Sequence, residues 1–94
     1  MTDVTTRDHV IDRLRDEIAD VDRRLVSTIN ARLALVKKMR KYKEEHAIPF
    51  LDPAREEWML QYLKRANTGP LSSEGLAELY THVLALTKEE LTHE

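Results

Sequence analysis

No cysteine occurs in the 94 residues, which excludes disulfides and thiolate chemistry and is compatible with a reducing cytoplasm. There are only two glycines and three prolines. No alternating strand pattern, internal repeat or low-complexity segment appears, and an all-helical protein is expected. No apolar run approaches the ~20 residues needed to span a bilayer, so no membrane partner is expected. The first ten residues carry acids and no apolar stretch, unlike a secretory leader. A formal net charge of -2 lacks the basic excess of nucleic-acid binders. His9, His46, His82 and His93 are scattered without metal-ligand spacing. Neither a Ser/His/Asp constellation nor a glycine-rich phosphate loop is present. An enzyme built from this chain would work without metal, nucleotide or nucleophile, and no cofactor is expected.

What is present is charge and helical periodicity. Charged residues make up 34% and hydrophobic ones 41%, a composition suited to helices with charge-laced exposed faces. One helical pattern runs over residues 7–46 without glycine or proline. At 1.5 Å per residue its roughly 40 residues reach ~60 Å, more than the diameter of a small domain. Such a helix cannot bury its apolar stripe against its own short chain, so a homodimer is expected. Ala47-Ile48-Pro49 marks its end, because proline disfavours helix in the residue before it. Asp52 as N-cap and Pro53 at the first helical position open a second helix over 53–66. After the breaker Asn67-Thr68-Gly69-Pro70, Ser72 caps a third helix over 72–92, with Leu71 and Leu76 spaced as a hydrophobic staple. The expected layout is one domain, residues 1–94, of one very long and two shorter helices.

The long helix carries a seam of Ile11, Leu14, Ile18, Val21, Leu25 and Ile29, then Arg32, then Leu35 and Val36, Met39 and Lys43. Spacings of three and four residues place these on one face. Arg32 and Lys43 stand where hydrophobes belong. They differ by ~20° around the helix and ~16 Å along it. Burying unpaired cations is costly, so an anion between the helices is one explanation. A snorkelling stem or a structural ion pair is the other. Arg15 points ~100° away from Arg32 and lies ~25 Å further along the axis, out of reach of the same small ligand within one chain. In an antiparallel dimer it could reach the partner's site. Arg55 sits in the first turn of the second helix, where acids are usually favoured. By residue type and place Asp52 reads best as a simple cap, Glu56 can be an answer to the helix dipole, and Thr87 reads equally as a small core residue.

Taken together, Leu14-Arg15-Asp16-Glu17-Ile18-Ala19-Asp20-Val21-Asp22, Asn30-Ala31-Arg32, Lys41-Tyr42-Lys43, Ile48-Pro49 and Asp52-Pro53-Ala54-Arg55-Glu56 resemble the all-helical (AroQ-class) chorismate mutases over nearly the whole chain. The segments Asp52 to Leu60 and Asn67-Thr68-Gly69-Pro70 look most like the mutase domain fused ahead of some DAHP synthases. The chain would then be a free-standing mutase or an excised domain. The resemblance implies an intertwined homodimer with two sites, each completed by Arg15 of the other chain. It implies that Arg32 and Arg55 bind substrate carboxylates and that Lys43 contacts the ether oxygen and a carboxylate. It further implies that Glu56 takes the ring hydroxyl, helped by Thr87, and that Asp52 lines the same region through its backbone amide as well as its side chain. One position departs. Four residues after Thr87 the family commonly has Gln or Glu bonding the ether oxygen, and here stands Leu91.

The implied reaction is the intramolecular Claisen rearrangement of chorismate to prephenate in phenylalanine and tyrosine biosynthesis. It needs orientation and fixed positive charge rather than acid, base or nucleophile, in keeping with the missing constellations. Three alternatives remain at this level: a domain that senses prephenate or chorismate and partners a DAHP synthase, with weak mutase activity; an isochorismate-pyruvate lyase or aminodeoxychorismate mutase; and a helical dimerisation module without ligand.

Overall fold

The computed structural model describes the backbone of residues 2–92 and the side chains of residues 8–92. The described residues form three helices and no strand: α1 over Thr2–Glu45, α2 over Pro53–Ala66 and α3 over Ser73–Thr92. The long helix begins at Thr2, ahead of the position 7 suggested by the apolar pattern. Residues 2–6 contain neither glycine nor proline, so nothing in the chain stops the helix where its seam does.

By packing, the chain divides into two units, Met1–Leu35 and Val36–Glu94. In the first, the described residues are one stretch of helix. An ion pair there, Arg23 with Asp20, joins side chains 71% and 61% exposed, which adds little stability. The Thr28 hydroxyl donates to the Arg24 carbonyl at 2.7 Å, a local bond of helical Thr. The apolar seam lies open within this unit: Leu14, Ile18, Val21 and Leu25 are 51, 59, 53 and 57% exposed.

The second unit is built differently. The end of α1 is closed by Ala47, whose φ of 54° puts it in the left-handed region, while the Ile48 amide donates to the Lys43 carbonyl at 2.8 Å. That is the long-range bond of a Schellman closure, made with alanine where glycine is usual. The Asp52 carboxylate accepts from the Arg55 amide at 3.1 Å and starts α2. Asn67 organises the connection to α3: its side-chain amide donates to the Leu71 carbonyl at 2.8 Å, and its Oδ1 accepts from the Gly69 amide at 3.2 Å. Ser72 accepts from the Gly75 amide at 2.9 Å, the expected cap. A Cβ on Gly75 would stand 3.0 Å from the Ser72 hydroxyl and 3.1 Å from Leu71, so a larger residue there would push the cap and the residue before it aside by a few tenths of an ångström.

Helices α2 and α3 pack on each other. Met59, Leu60 and Leu63 of α2 and Leu76, Tyr80, Val83 and Leu84 of α3 are half-buried, at the spacings of one helix face each. The centre of burial lies at the end of α3, where Thr87 is 6% and Leu91 2% exposed.

Candidate functional site

Charged groups meet the last turns of α3 from two sides. From α1, the Arg40 guanidinium donates through Nη1 to the Leu91 carbonyl at 2.8 Å and through Nε to the Glu44 carboxylate at 3.2 Å. From α2, the Glu56 carboxylate lies 3.4 Å from the Lys88 ammonium. Between these contacts stand Thr87 and Leu91, one turn apart on the buried face. The final carbonyls of a helix have no partner within it, and a cation there satisfies both the bond and the dipole. A hydrogen bond to a charged donor contributes about 1.5–3 kcal/mol. The Lys88–Glu56 pair, with side chains 45% and 32% exposed, contributes less.

Lys43 is half-buried. Its Nζ donates to the Phe50 carbonyl at 3.2 Å and stands 6.0 Å from the Phe50 ring centroid. The ammonium is therefore held at the loop that leads into Asp52, with two further N–H groups for another acceptor. Within α1 the inward positions of this unit are Val36, Arg40 and Lys43, all half-buried, while Met39 is 46% exposed. Met39, a seam residue by spacing, is thus no more exposed than Leu14, Ile18, Val21 and Leu25 of the first unit, and beside it Arg40 turns inward with its guanidinium on the carbonyl end of α3.

Arg55, at an electrostatically awkward position in the first turn of α2, places its guanidinium carbon 4.2 Å from the Trp58 ring centroid. That cation–π contact is worth roughly 0.5–1 kcal/mol at an exposed site and offsets the local dipole penalty. Asp52 does act as a cap. The Thr87 hydroxyl donates to the Val83 carbonyl at 2.7 Å, the backbone bond that its place on the stripe suggested.

Asp52, Arg55, Glu56, Lys43, Thr87 and Leu91 thus belong to one packed unit, whereas Arg15 and Arg32 belong to the other. Arg32 is half-buried and Arg15 exposed. Arg40 and Lys88 were missed by sequence reasoning. Both make contacts between helices far apart in the chain, and no local spacing announces these. Among the described residues, no group of three or more His, Asp and Glu side chains could hold a metal ion. Among the described residues, likewise, no helix is long and apolar enough to cross a membrane. The surface depression lined by Asp20, Arg23, Arg24 and Ser27 is bounded by a single helix and encloses nothing.

Comparison with known proteins gives this arrangement a context. The family described as chorismate mutase type II matches residues 14–91. The chain is similar to the bifunctional chorismate mutase/prephenate dehydratase of Stutzerimonas stutzeri, 33% identical over 77% of this chain and 21% of that protein. Its counterpart in Pseudomonas aeruginosa is 30% identical over the same shares. The chain therefore spans about a fifth of the length of these curated relatives. Among solved structures, form I of the chorismate mutase of Thermus thermophilus superposes with a TM-score of 0.79 and 32% identity, covering 82% of this chain and 96% of that one.

Proposed function

The chain belongs to the chorismate mutase type II family, and from that premise we propose that it converts chorismate to prephenate, a step of aromatic amino-acid biosynthesis. Lys43 carries the proposal. It is a half-buried cation at the end of α1 whose ammonium is fixed by a backbone carbonyl and still has protons to give. The rearrangement breaks a C–O bond while its ether oxygen gains electron density. A compact, prepositioned ammonium stabilises that oxygen more in the transition state than in the ground state. In this reading Arg55 and Arg32 bind the two carboxylates, for which the forked guanidinium is suited. Glu56, held by Lys88, accepts the ring hydroxyl beside Thr87. Asp52 presents its amide and carboxylate at the start of α2, and Leu91 supplies an apolar wall.

The proposal includes a homodimer in which Arg15 completes the partner's site. Its support is the open seam. A fully buried aliphatic side chain gains about 1.5–3 kcal/mol over an exposed one, and Leu14, Ile18, Val21 and Leu25 forgo about half of that in the isolated chain. A second copy carries the same stripe and can cover it. A cytoplasmic place of action belongs to the same proposal and agrees with a chain that has no thiol to oxidise.

The test is to incubate the purified protein with chorismate, follow the loss of its absorbance and identify the product. Prephenate is expected, and Lys43→Ala should cut kcat by ~10²–10³-fold or more while leaving the helices intact by circular dichroism. Absence of turnover at high enzyme concentration would overturn the mutase reading. A second reading is favoured by Leu91, whose apolar side chain is 2% exposed where a donor to the ether oxygen would be useful. It is a weak mutase that senses prephenate or chorismate and partners a DAHP synthase. Prephenate binding without turnover, together with a rise in activity on mixing with such a synthase, would establish it. A product other than prephenate would point to a lyase or to an aminodeoxychorismate mutase.

A further inference from the structure

We propose that Arg40 supplies the hydrogen-bond donor that position 91 lacks, presenting its guanidinium to the breaking ether bond beside Lys43. This rests on the mutase reading. Three observations meet at this point. Leu91 turns an apolar side chain into the most buried place in the described chain, 2% exposed, and cannot donate. Arg40 is the cation brought to that residue, with Nη1 2.8 Å from its carbonyl oxygen. Finally, Arg40 and Lys43 are three apart on one helix, both half-buried, so their side chains emerge as neighbours about 5–6 Å apart at Cβ.

The donor count permits the role. A guanidinium has five N–H groups in a fixed fork. The Leu91 carbonyl and the Glu44 carboxylate engage Nη1 and Nε, and among the described residues no acceptor holds Nη2. The two bonds fix the plane of the fork, so Nη2 is prepositioned rather than free to swing. A donor fixed in advance costs no reorganisation when charge develops on the oxygen. Arginine on α1 would thereby do the work of an amide or carboxyl on α3, carrying a full positive charge as well.

The competing role for the same contact is a clamp that ties the end of α3 to α1. A double-substitution cycle separates the two. In the natural background, Arg40→Gln should lower kcat with chorismate by ~10²-fold with KM changed less than about threefold, since the oxygen gains its charge only in the transition state. In a Leu91→Gln background, which returns a donor to position 91, the same substitution should cost less than about fivefold. A clamp predicts the opposite: equal losses in both backgrounds, a rise in KM, and a lowered melting temperature. Either an additive cycle or an Arg40→Gln enzyme with unchanged kcat overturns the proposal. Should Leu91→Gln fail to fold, Arg40→Gln and Arg40→Lys decide through the kcat and KM split and thermal melts. A KM-dominated loss with a lowered melting temperature then overturns it. A natural enzyme that turns over no chorismate would instead overturn the mutase reading on which the assignment stands.

Discussion

Leu14, Ile18, Val21 and Leu25, spaced three and four apart in the first unit, are 51–59% exposed, whereas Thr87 and Leu91, four apart in the second, are 6% and 2% exposed. The periodicity is the same and the burial opposite. In the second unit, α2 and α3 cover each other and side chains from α1 and α2 reach the end of α3. In the first, the described residues are one helical stretch with nothing of its own unit laid on its stripe. Periodicity therefore identifies the face that wants cover without saying what supplies it. A self-covered region keeps its stability at any dilution. A region that depends on another copy keeps it only by mass action.

The largest expected effect lies in the open seam. Leu25→Asp places a charge at a position 57% exposed in the isolated chain, where surface substitutions usually change stability by less than about 0.5 kcal/mol. If a second copy covers the seam, the same substitution buries an unpaired carboxylate. The dimer should then be lost in analytical ultracentrifugation, and turnover should fall by at least ~10²-fold as Arg15 no longer reaches the partner's site. A variant that sediments and turns over like the natural protein would show that the seam is not the dimer interface.

The next effect is a recovery rather than a loss. Arg15→Ala and Arg32→Ala chains, each inactive alone, are unfolded together and refolded as a mixture. If Arg15 acts in trans, each mixed dimer holds one intact site, and random pairing should restore roughly a quarter of natural turnover. Were both arginines to serve the site of their own chain, no pairing would contain an intact site and activity would stay at the level of the parents.

The helical fold was legible because helices announce themselves locally. Seam spacing, Asp52-Pro53 and Ser72 fix where α1, α2 and α3 lie in the chain, and the caps occur as bonds at 3.1 and 2.9 Å. The exact stop of α1 was less legible. Pro49 flagged the region, yet the turn is made by Ala47 in a left-handed conformation that its residue type does not advertise. The candidate site divides in the same way. Lys43 stood out because it interrupts an apolar seam. Arg40 and Lys88 did not, because their partners lie 51 and 32 positions away in sequence and only the packing of the second unit brings them together. That Arg40 turns inward has the same origin: where the end of α3 meets α1, an orphan carbonyl draws the neighbouring cation inward.

The smallest effect belongs to the self-covered unit. Asp52→Ala removes the carboxylate that accepts from the Arg55 amide at 3.1 Å, and loss of such a cap costs about 1 kcal/mol. Asp52→Asn keeps an acceptor of the same shape and should leave the melting temperature nearly unchanged. Because the cap and its helix lie within one unit, the loss on Asp52→Ala should be the same at every protein concentration, unlike that of a seam variant. The pair also isolates the proposed chemical role. If Asp52 lines the substrate only through its backbone amide, Asp52→Asn should retain kcat and KM within about twofold, because the cap keeps that amide in place. A tenfold fall in kcat/KM with the melting temperature preserved would assign the carboxylate itself to the substrate, a difference of about 1.4 kcal/mol that no change in capping could supply.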